Sequence, residues 1–256
     1  MDTQMKEPIT ERQARIVEIV TQQGFATIDN LARDFGVSAQ SVRRDIIRLD
    51  AEGMLQRFHG GVGVRETSVR LGYAEKRTVA ADAKQRIAAK AASLIPDGSV
   101  VFLDVGTTVE AVARELAGKR RLHVFTASLA AATILSDHPA IDLFVIGGSV
   151  RGVDGSLVGE TTLSTLSRFR FDYAVIGFSG IDRDGAFMDY DIEKVGVKQA
   201  AMEQAGHSFV VGDSSKFRKS AIVRFSGRPD SLSLVTEMRP PAEVLEVMQG
   251  LCIIAE

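Results

Sequence analysis

The sequence predicts an α/β protein in two parts: a small unit of helices closed by a hairpin, then a larger, mostly parallel sheet with helices on both faces. Three observations carry the prediction. Residues 10–64 read as three short helices followed by a glycine-tipped hairpin. From about residue 79, helical patterns alternate with short runs rich in valine, isoleucine and phenylalanine, and strand–helix alternation implies a parallel sheet covered by helices. The chain has 256 residues, more than the roughly 100–200 of a typical domain, which leaves room for a second unit. The expected division is 1–64 for the first unit, 65–78 for a linker and 79–256 for the second domain.

In the first unit, Thr10 and Gln13 form a capping-box pattern that starts a helix, and Ile16, Val17, Ile19 and Val20 give it an apolar stripe that ends at Gly24. Thr27 is the expected N-cap of a short second helix carrying Ile28, Leu31, Ala32 and Phe35. Gly36 and Val37 form a tight turn, Ser38 caps a third helix running to about Glu52, and Gly53 stops it. Residues 54–64, with Gly60, Gly61 and Gly63, predict a two-stranded wing. Residues 65–78 are polar, of mixed charge and without periodicity, as expected of a linker.

In the second domain the expected strands are residues 99–105, 122–127, 141–146, 173–178, 208–211 and 232–236, with helices at 109–116, 129–135, 161–169 and 193–205. Internal repeats and low-complexity segments are absent from the sequence.

Composition narrows the function classes. Apolar residues make up 45% and charged residues 25%, ordinary values for a globular protein with a sizeable core. No apolar run reaches the roughly 18 residues that span a bilayer, and residues 1–13 lack the apolar stretch of a secretory signal. The expectation is a cytoplasmic protein without membrane contact. Cys252 is the single cysteine, which excludes an intrachain disulfide and a paired-cysteine zinc site. His59, His123, His138 and His207 are scattered without ligand spacing, so neither a metal nor a cofactor is expected. The net charge of −2 gives no global basic signature, so any nucleic-acid site must be local.

The third helix supplies such a site. Val42, Ile46 and Leu49 recur at helical spacing and face a core, which turns Ala39, Gln40, Arg43 and Arg44 outward from the first turns. A recognition helix enters the major groove with those turns, where arginine reads guanine and glutamine reads adenine. Ser38 and Ser41 stand at the helix start, where the dipole favours a phosphate. Arg48 lies further along the helix; Arg57 and His59 on the wing can touch backbone or minor groove, and Arg12 and Arg15 can approach phosphates. The competing reading is a solvated helix face on which Arg43, Arg44 and Arg48 pair with Asp45, Asp50 and Glu52. Three short helices, a tight central turn and a glycine-tipped hairpin favour double-stranded DNA.

The second domain offers an anion cradle at Asp104-Val105-Gly106-Thr107-Thr108, between a strand and a helix. Gly106 permits a tight turn, and Thr107 and Thr108 offer hydroxyls and backbone N–H groups at a helix N-terminus. Polar strand ends recur at Thr126-Ala127-Ser128, at Gly147-Gly148 with Arg151 and Asp154, at Ser179-Gly180-Ile181-Asp182 and at Asp213-Ser214-Ser215-Lys216. Ligands of open α/β sheets bind outside the carboxyl ends of strands, so these converge on one pocket for a phosphorylated small molecule. Lys216 can neutralise phosphate, Asp104 or Asp213 can hold hydroxyls, and Asp189, Glu193 and Lys198 can close the rim, unless Glu193 and Lys198 form only a solvated helix pair.

These residues resemble a known family. Val37-Ser38 with Val42-Arg43-Arg44-Asp45-Ile46, then His59-Gly60-Gly61, is similar to the helix-turn-helix signature of DeoR-type sugar-catabolism repressors. The strand-end motifs, with Phe217 after Lys216, resemble that family's effector domain. Phe169-Arg170-Phe171-Asp172 through Asp182, with Asp189, Asp191, Val195 and Lys198, is similar to its glycerol-3-phosphate-responsive branch. The resemblance implies an effector domain related in fold to ribose-5-phosphate isomerase. It also implies a homo-oligomer, dimer or tetramer, that leaves its operator when glycerol-3-phosphate or a related sugar phosphate binds. Departures are Ser41 for a usual threonine, Ala127 where asparagine is common, and Arg218-Lys219 where a glycine–arginine pair is usual.

Two further functions stay open on sequence. A sugar-phosphate isomerase-like enzyme with a DNA-binding appendage would need a carboxylate base, for which Asp182, Asp184 and Asp213 are available. An activator or dual regulator would carry the same motifs as a repressor.

Overall fold

The computed structural model describes residues 9–23, 25–58, 61–63, 77–182, 184–219, 221–247 and 251–256. Gly24, His59, Gly60, residues 64–76, which include most of the expected linker, and residues 248–250 fall outside them. The chain divides into two compact units, Met1–Val69 and Arg70–Glu256.

The first unit follows its caps. Thr10 and Gln13 close the expected box: the Gln13 N–H donates to Thr10 Oγ1 at 3.2 Å and the Thr10 N–H to Gln13 Oε1 at 3.0 Å, starting α1 (Glu11–Gln23). Thr27 accepts the Asn30 N–H at 3.1 Å to start α2 (Ile28–Phe35), which ends at left-handed Gly36, φ 62°. Ser38 accepts the Ser41 N–H at 3.2 Å to start α3 (Ala39–Ala51). Ile16, Val20, Leu31, Val42, Ile46, Leu49, Leu55 and Val62 bury together between the helices and the wing.

The wing has three strands rather than the expected two. β1 (Phe25–Thr27), β2 (Gln56–Phe58) and β3 (Gly61–Gly63) form an antiparallel sheet in the order β1-β3-β2. A three-residue strand is too short to show a period, which hid β1 in the sequence. Thr27 pairs with Gly61, and a Cβ at Gly61 would lie 2.2 Å from Phe25 Cζ and 2.5 Å from the Ala26 carbonyl oxygen. Close approach of β1 explains that glycine.

The second unit is built on a seven-stranded sheet in the order β15-β14-β12-β9-β4-β5-β6, parallel throughout. Its strands are β4 (Val100–Leu103), β5 (Leu122–Thr126), β6 (Ile141–Val145), β9 (Phe171–Gly177), β12 (Ala205–Val211), β14 (Leu232–Thr236) and β15 (Leu251–Ile254). All six expected strands are present, and the edge strand β15 is an addition. Five helices pack around the sheet: α4 (Ala81–Ser93), α5 (Thr107–Leu116), α6 (Leu129–Leu135), α7 (Glu160–Leu166) and α8 (Ile192–Gln204). The short helix α9 (Ala242–Val247) precedes β15.

Alternation along the strands makes two cores. Val101, Leu103, Val124, Val175, Phe209 and Val235 face α4, α5 and α6, while Phe102, Ala174, Ile176, Val210 and Leu234 face α8 and its neighbours. A hairpin of β7 (Ser149–Arg151) and β8 (Ser156–Val158) follows β6. A small sheet joins β10 (Gly180–Ile181), β11 (Phe187–Asp189) and β13 (Val223–Phe225). Because the main strands are parallel, Leu103, Thr126, Val145, Gly177 and Val211 all end at one edge of the sheet, and the polar loops that follow them share that edge.

Candidate functional site

In the first unit, Gln40, Arg43 and Arg44 are exposed on α3, opposite the buried Val42, Ile46 and Leu49. Ser38 is exposed and Ser41 half-buried, their hydroxyls 3.0 Å apart. Arg57 is exposed on β2, and His59 lies outside the described residues.

Charge pairing on α3 follows the solvated-face reading only at Arg48 and Glu52; Asp45 is engaged elsewhere. Asp45 is 5% exposed, and it accepts from Arg12 Nε at 2.6 Å and from Gln13 Nε2 at 2.9 Å. Arg12 is therefore a clamp between α1 and α3 rather than a phosphate contact, its guanidinium held firmly charged by Asp45. Arg15 pairs with Glu18, and Arg48 with Glu52 at 3.0 Å. Arg43 and Arg44 are exposed and have no carboxylate partner among the described residues.

In the second unit, the loop after β4 leads into α5 through Gly106, φ 135° and ψ 154°. That conformation favours glycine. No side chain caps α5, and the N–H groups of Thr107, Thr108 and Val109 meet no acceptor among the described residues. By contrast, Ser128 caps α6, 3.2 Å from the Ala131 N–H, and Asp191 caps α8, 2.9 Å from the Glu193 N–H. The turn at Ser214–Lys216 is also filled: Asp213 accepts the Ser215 N–H at 3.1 Å, and the Glu237 carboxylate accepts the Ser214 N–H at 3.1 Å. Internal carboxylates thus occupy the donors at Asp213–Lys216, while those of α5 stay open. Lys216 is half-buried on that turn.

Asp104 differs from its expected part as a holder of hydroxyls. It is 3% exposed; its Oδ2 accepts the Gly177 N–H at 3.0 Å and a short bond from Lys198. Lys198, expected on the rim beside Glu193, is 1% exposed and donates also to the Gly177 carbonyl at 2.9 Å and to Asp189 at 3.2 Å. Burial works against the ammonium charge, but Asp104 and Asp189 outweigh it and hold the lysine pKa above its ordinary range. Asp189 in turn accepts from Ser179 Oγ at 3.1 Å. One buried ammonium therefore ties together the ends of β4, β9 and β11 and the helix α8. Lys198 lies three residues after Val195 and four before Met202, both buried; a lysine on the apolar stripe was the signal that could have placed it inside.

Arg151 is also paired, with Asp191 at 2.7 Å and with Glu193 at 2.7 Å. With Lys194–Asp154 at 2.6 Å, this fastens the β7–β8 hairpin to the start of α8. Ser128 is buried beside Thr126, whose hydroxyl donates to the Leu103 carbonyl at 2.7 Å. Gly147 and Gly148 are exposed, and the Gly147 carbonyl accepts from Thr162 Oγ1 at 2.8 Å. Gly180 is buried in β10. Sequence reasoning did not single out Glu237 or Glu110. Glu110 is 1% exposed in the first turn of α5 and pairs with Arg77 at 3.1 Å. Among the described residues there is no group of three or more His, Cys, Asp or Glu that could hold a metal, and no helix is long and apolar enough to cross a membrane.

A helix with two bare arginines on a winged three-helix unit, joined in one chain to a parallel α/β unit with an uncapped helix start at its strand ends, is the arrangement of a ligand-sensing DNA-binding regulator. The chain belongs to the DeoR family of transcriptional regulators: residues 12–68 match the DeoR-like helix-turn-helix domain and residues 79–238 the DeoR C terminal sensor domain. It is 36% identical over 239 residues to the glycerol-3-phosphate regulon repressor of Escherichia coli K12, covering 93% of this chain and 95% of that protein. Identity to the repressor of the same name from Haemophilus influenzae is 37% over 225 residues, 88% of each chain. Identity to the E. coli HTH-type transcriptional repressor CsqR is 34%, over 93% of this chain and 91% of that one. Ribose 5-phosphate isomerase A of Methanocaldococcus jannaschii overlaps 54% of this chain and 55% of its own at 19% identity with a TM-score of 0.41, a partial likeness that carries no argument about activity. The family is one of regulators, not enzymes, which removes the isomerase reading.

Proposed function

We propose that this regulator represses a glycerol or related carbohydrate catabolic regulon, and that glycerol-3-phosphate bound at the start of α5 releases it from its operator. The observation that carries the reading is the uncapped N-terminus of α5 at Gly106, where the helix opens on Thr107 and Thr108. Unsatisfied N–H groups and the helix dipole favour a phosphate. Glu237 fills the equivalent position at Ser214–Lys216, so α5 is the better seat. The names of the E. coli and H. influenzae relatives support glycerol-3-phosphate over other sugar phosphates.

Residues 1–64 then read DNA, 65–78 link, and 79–256 sense. A chain with one recognition helix reads an operator of two half-sites as a homo-oligomer, its reading heads set about one helical turn or a multiple apart. Arg77, at the end of the linker, pairs with Glu110 in the first turn of α5, which gives the cradle a neighbour on the path to the reading unit. Such coupling is worth about 1–3 kcal/mol and is reciprocal. A cytoplasmic location fits this role.

Calorimetric titration of the full chain with glycerol-3-phosphate tests the proposal. The expected result is saturable binding that weakens when Thr107→Ala and Thr108→Ala are combined, and that Thr107→Glu abolishes by placing a carboxylate in the cradle. Binding unaffected by all three substitutions would move the effector elsewhere. Absence of binding would discard glycerol-3-phosphate and leave the DNA-binding assignment in place.

A further inference from the structure

α3 exposes one residue that the arginine-and-glutamine account of DNA reading does not use. Ile47 is 51% exposed, whereas Val42, Ile46 and Leu49 on the same helix are 0%, 1% and 0%. At about 100° per residue, Ile47 lies about 20° around the helix from Gln40, about 40° from Arg43 and about 60° from Arg44. It is about 160° from Leu49, in the buried stripe. Ile47 therefore occupies the centre of the outward face, between the exposed polar residues, and not the margin of the core. A β-branched residue is also a poorer helix former than the lysine, glutamine or alanine that an idle solvent position would accept.

We infer that Ile47 is a specificity-determining residue that packs against the 5-methyl group of a thymine in the major groove. The inference rests on the reading of α3 as the recognition helix. In that groove thymine alone presents a methyl group, and an apolar side chain meets it by excluding water from both. Ile47 follows Arg43 by four residues, a rise of about 6 Å. With the helix axis along the groove, this sets the thymine about two base-pair steps from the base that Arg43 faces, at about 3.4 Å per step. The first turns of α3 then read by hydrogen bonding and the next turn by shape and apolar contact.

The test begins with duplexes recovered by the full-length protein from a random pool. In the recovered site each thymine is replaced in turn by deoxyuridine, which removes only the 5-methyl group. The expected result is one position per half-site at which the wild type loses about threefold to tenfold in affinity. Ile47→Ala should show the same loss on the unmodified site and no further loss with deoxyuridine there, while Ile47→Val falls between. Unchanged melting of both variants confirms that the fold is intact. Equal sensitivity of wild type and Ile47→Ala to deoxyuridine at every position overturns the inference. So does wild-type operator affinity of Ile47→Ala; a simultaneous change in its oligomer mass would assign the side chain to a protein contact instead. Failure to recover any preferred duplex would overturn the recognition-helix reading itself, and the inference with it.

Discussion

On α3, Arg43 and Arg44 stand exposed without a carboxylate partner among the described residues. At the strand ends of the second unit, Lys198 is 1% exposed and held by Asp104, Asp189 and the Gly177 carbonyl. The difference follows from the two ligands. DNA presents a dense row of phosphates in water, and exposed cations meet it with little desolvation while counterions are released. A single small anion must be selected inside a folded site, where an unpaired charge is costly. In the proposed cradle the donors left open are the neutral backbone N–H groups at the start of α5, and the ionic groups behind them shape the loop. On α3 two arginines are left without an internal counter-charge, while behind the strand ends of the second unit the lysine is bound within the protein.

The comparison breaks most visibly at Lys198. Lys198→Met would leave Asp104 and Asp189 facing one another without a counter-charge, at a cost of about 3–5 kcal/mol in stability, read as an earlier denaturant midpoint of the second unit. A loss below about 1 kcal/mol would show that the carboxylates do not depend on the ammonium. The arginines should behave in the opposite manner. Arg43→Ala and Arg44→Ala are each expected to weaken operator binding by about 1–3 kcal/mol when the side chain reads a base, or to lower the salt slope by about one when it meets a phosphate. Stability should stay within about 0.5 kcal/mol. Anisotropy titrations at several salt concentrations separate these cases, and operator binding unchanged in both variants would remove α3 as the reading helix.

The smallest effect is expected at the hairpin fastening. Burial would raise the Asp191 carboxyl, but Arg151 and the backbone N–H groups of Glu193 and Lys194 hold it below the usual carboxylate range. A depressed native pKa contributes stability that is fully present above the unfolded value of about 3.9 and is lost as pH falls through the native one. Arg151 is half exposed, so the pair is screened and worth at most about 1 kcal/mol. Arg151→Ala should therefore lower stability slightly at pH 7, with the difference from wild type disappearing under acid conditions. A difference that grows toward low pH would contradict the pairing.

Local signals were legible in the sequence wherever a few neighbouring residues decide the outcome. Thr10, Thr27 and Ser38 act as the caps their spacing indicates. The six expected strands form, because strand runs between helices carry a strong alternation of pattern. Gly106 marks the start of α5 as expected. Less legible was everything that depends on what lies across the fold. β1 is too short to show a period and exists because β3 pairs with it. Arg12 reaches Asp45 across 33 positions, and Lys198 reaches Asp104 across 94, and neither pairing leaves a trace in local spacing. For that reason Asp104 and Arg151 looked like ligand contacts, although the structure engages both internally.

By itself the sequence determined the family, the division into a reading and a sensing part, the order of elements and the helix starts, since caps, periodicity and glycine turns are set by residues a few positions apart. Tertiary structure alone decided which charged side chains are bound within the protein and which remain for a partner. A pairing between distant residues depends on burial and on the parallel register that brings separate strand ends to one edge, and the sequence records the residues of such a pair without recording that they meet.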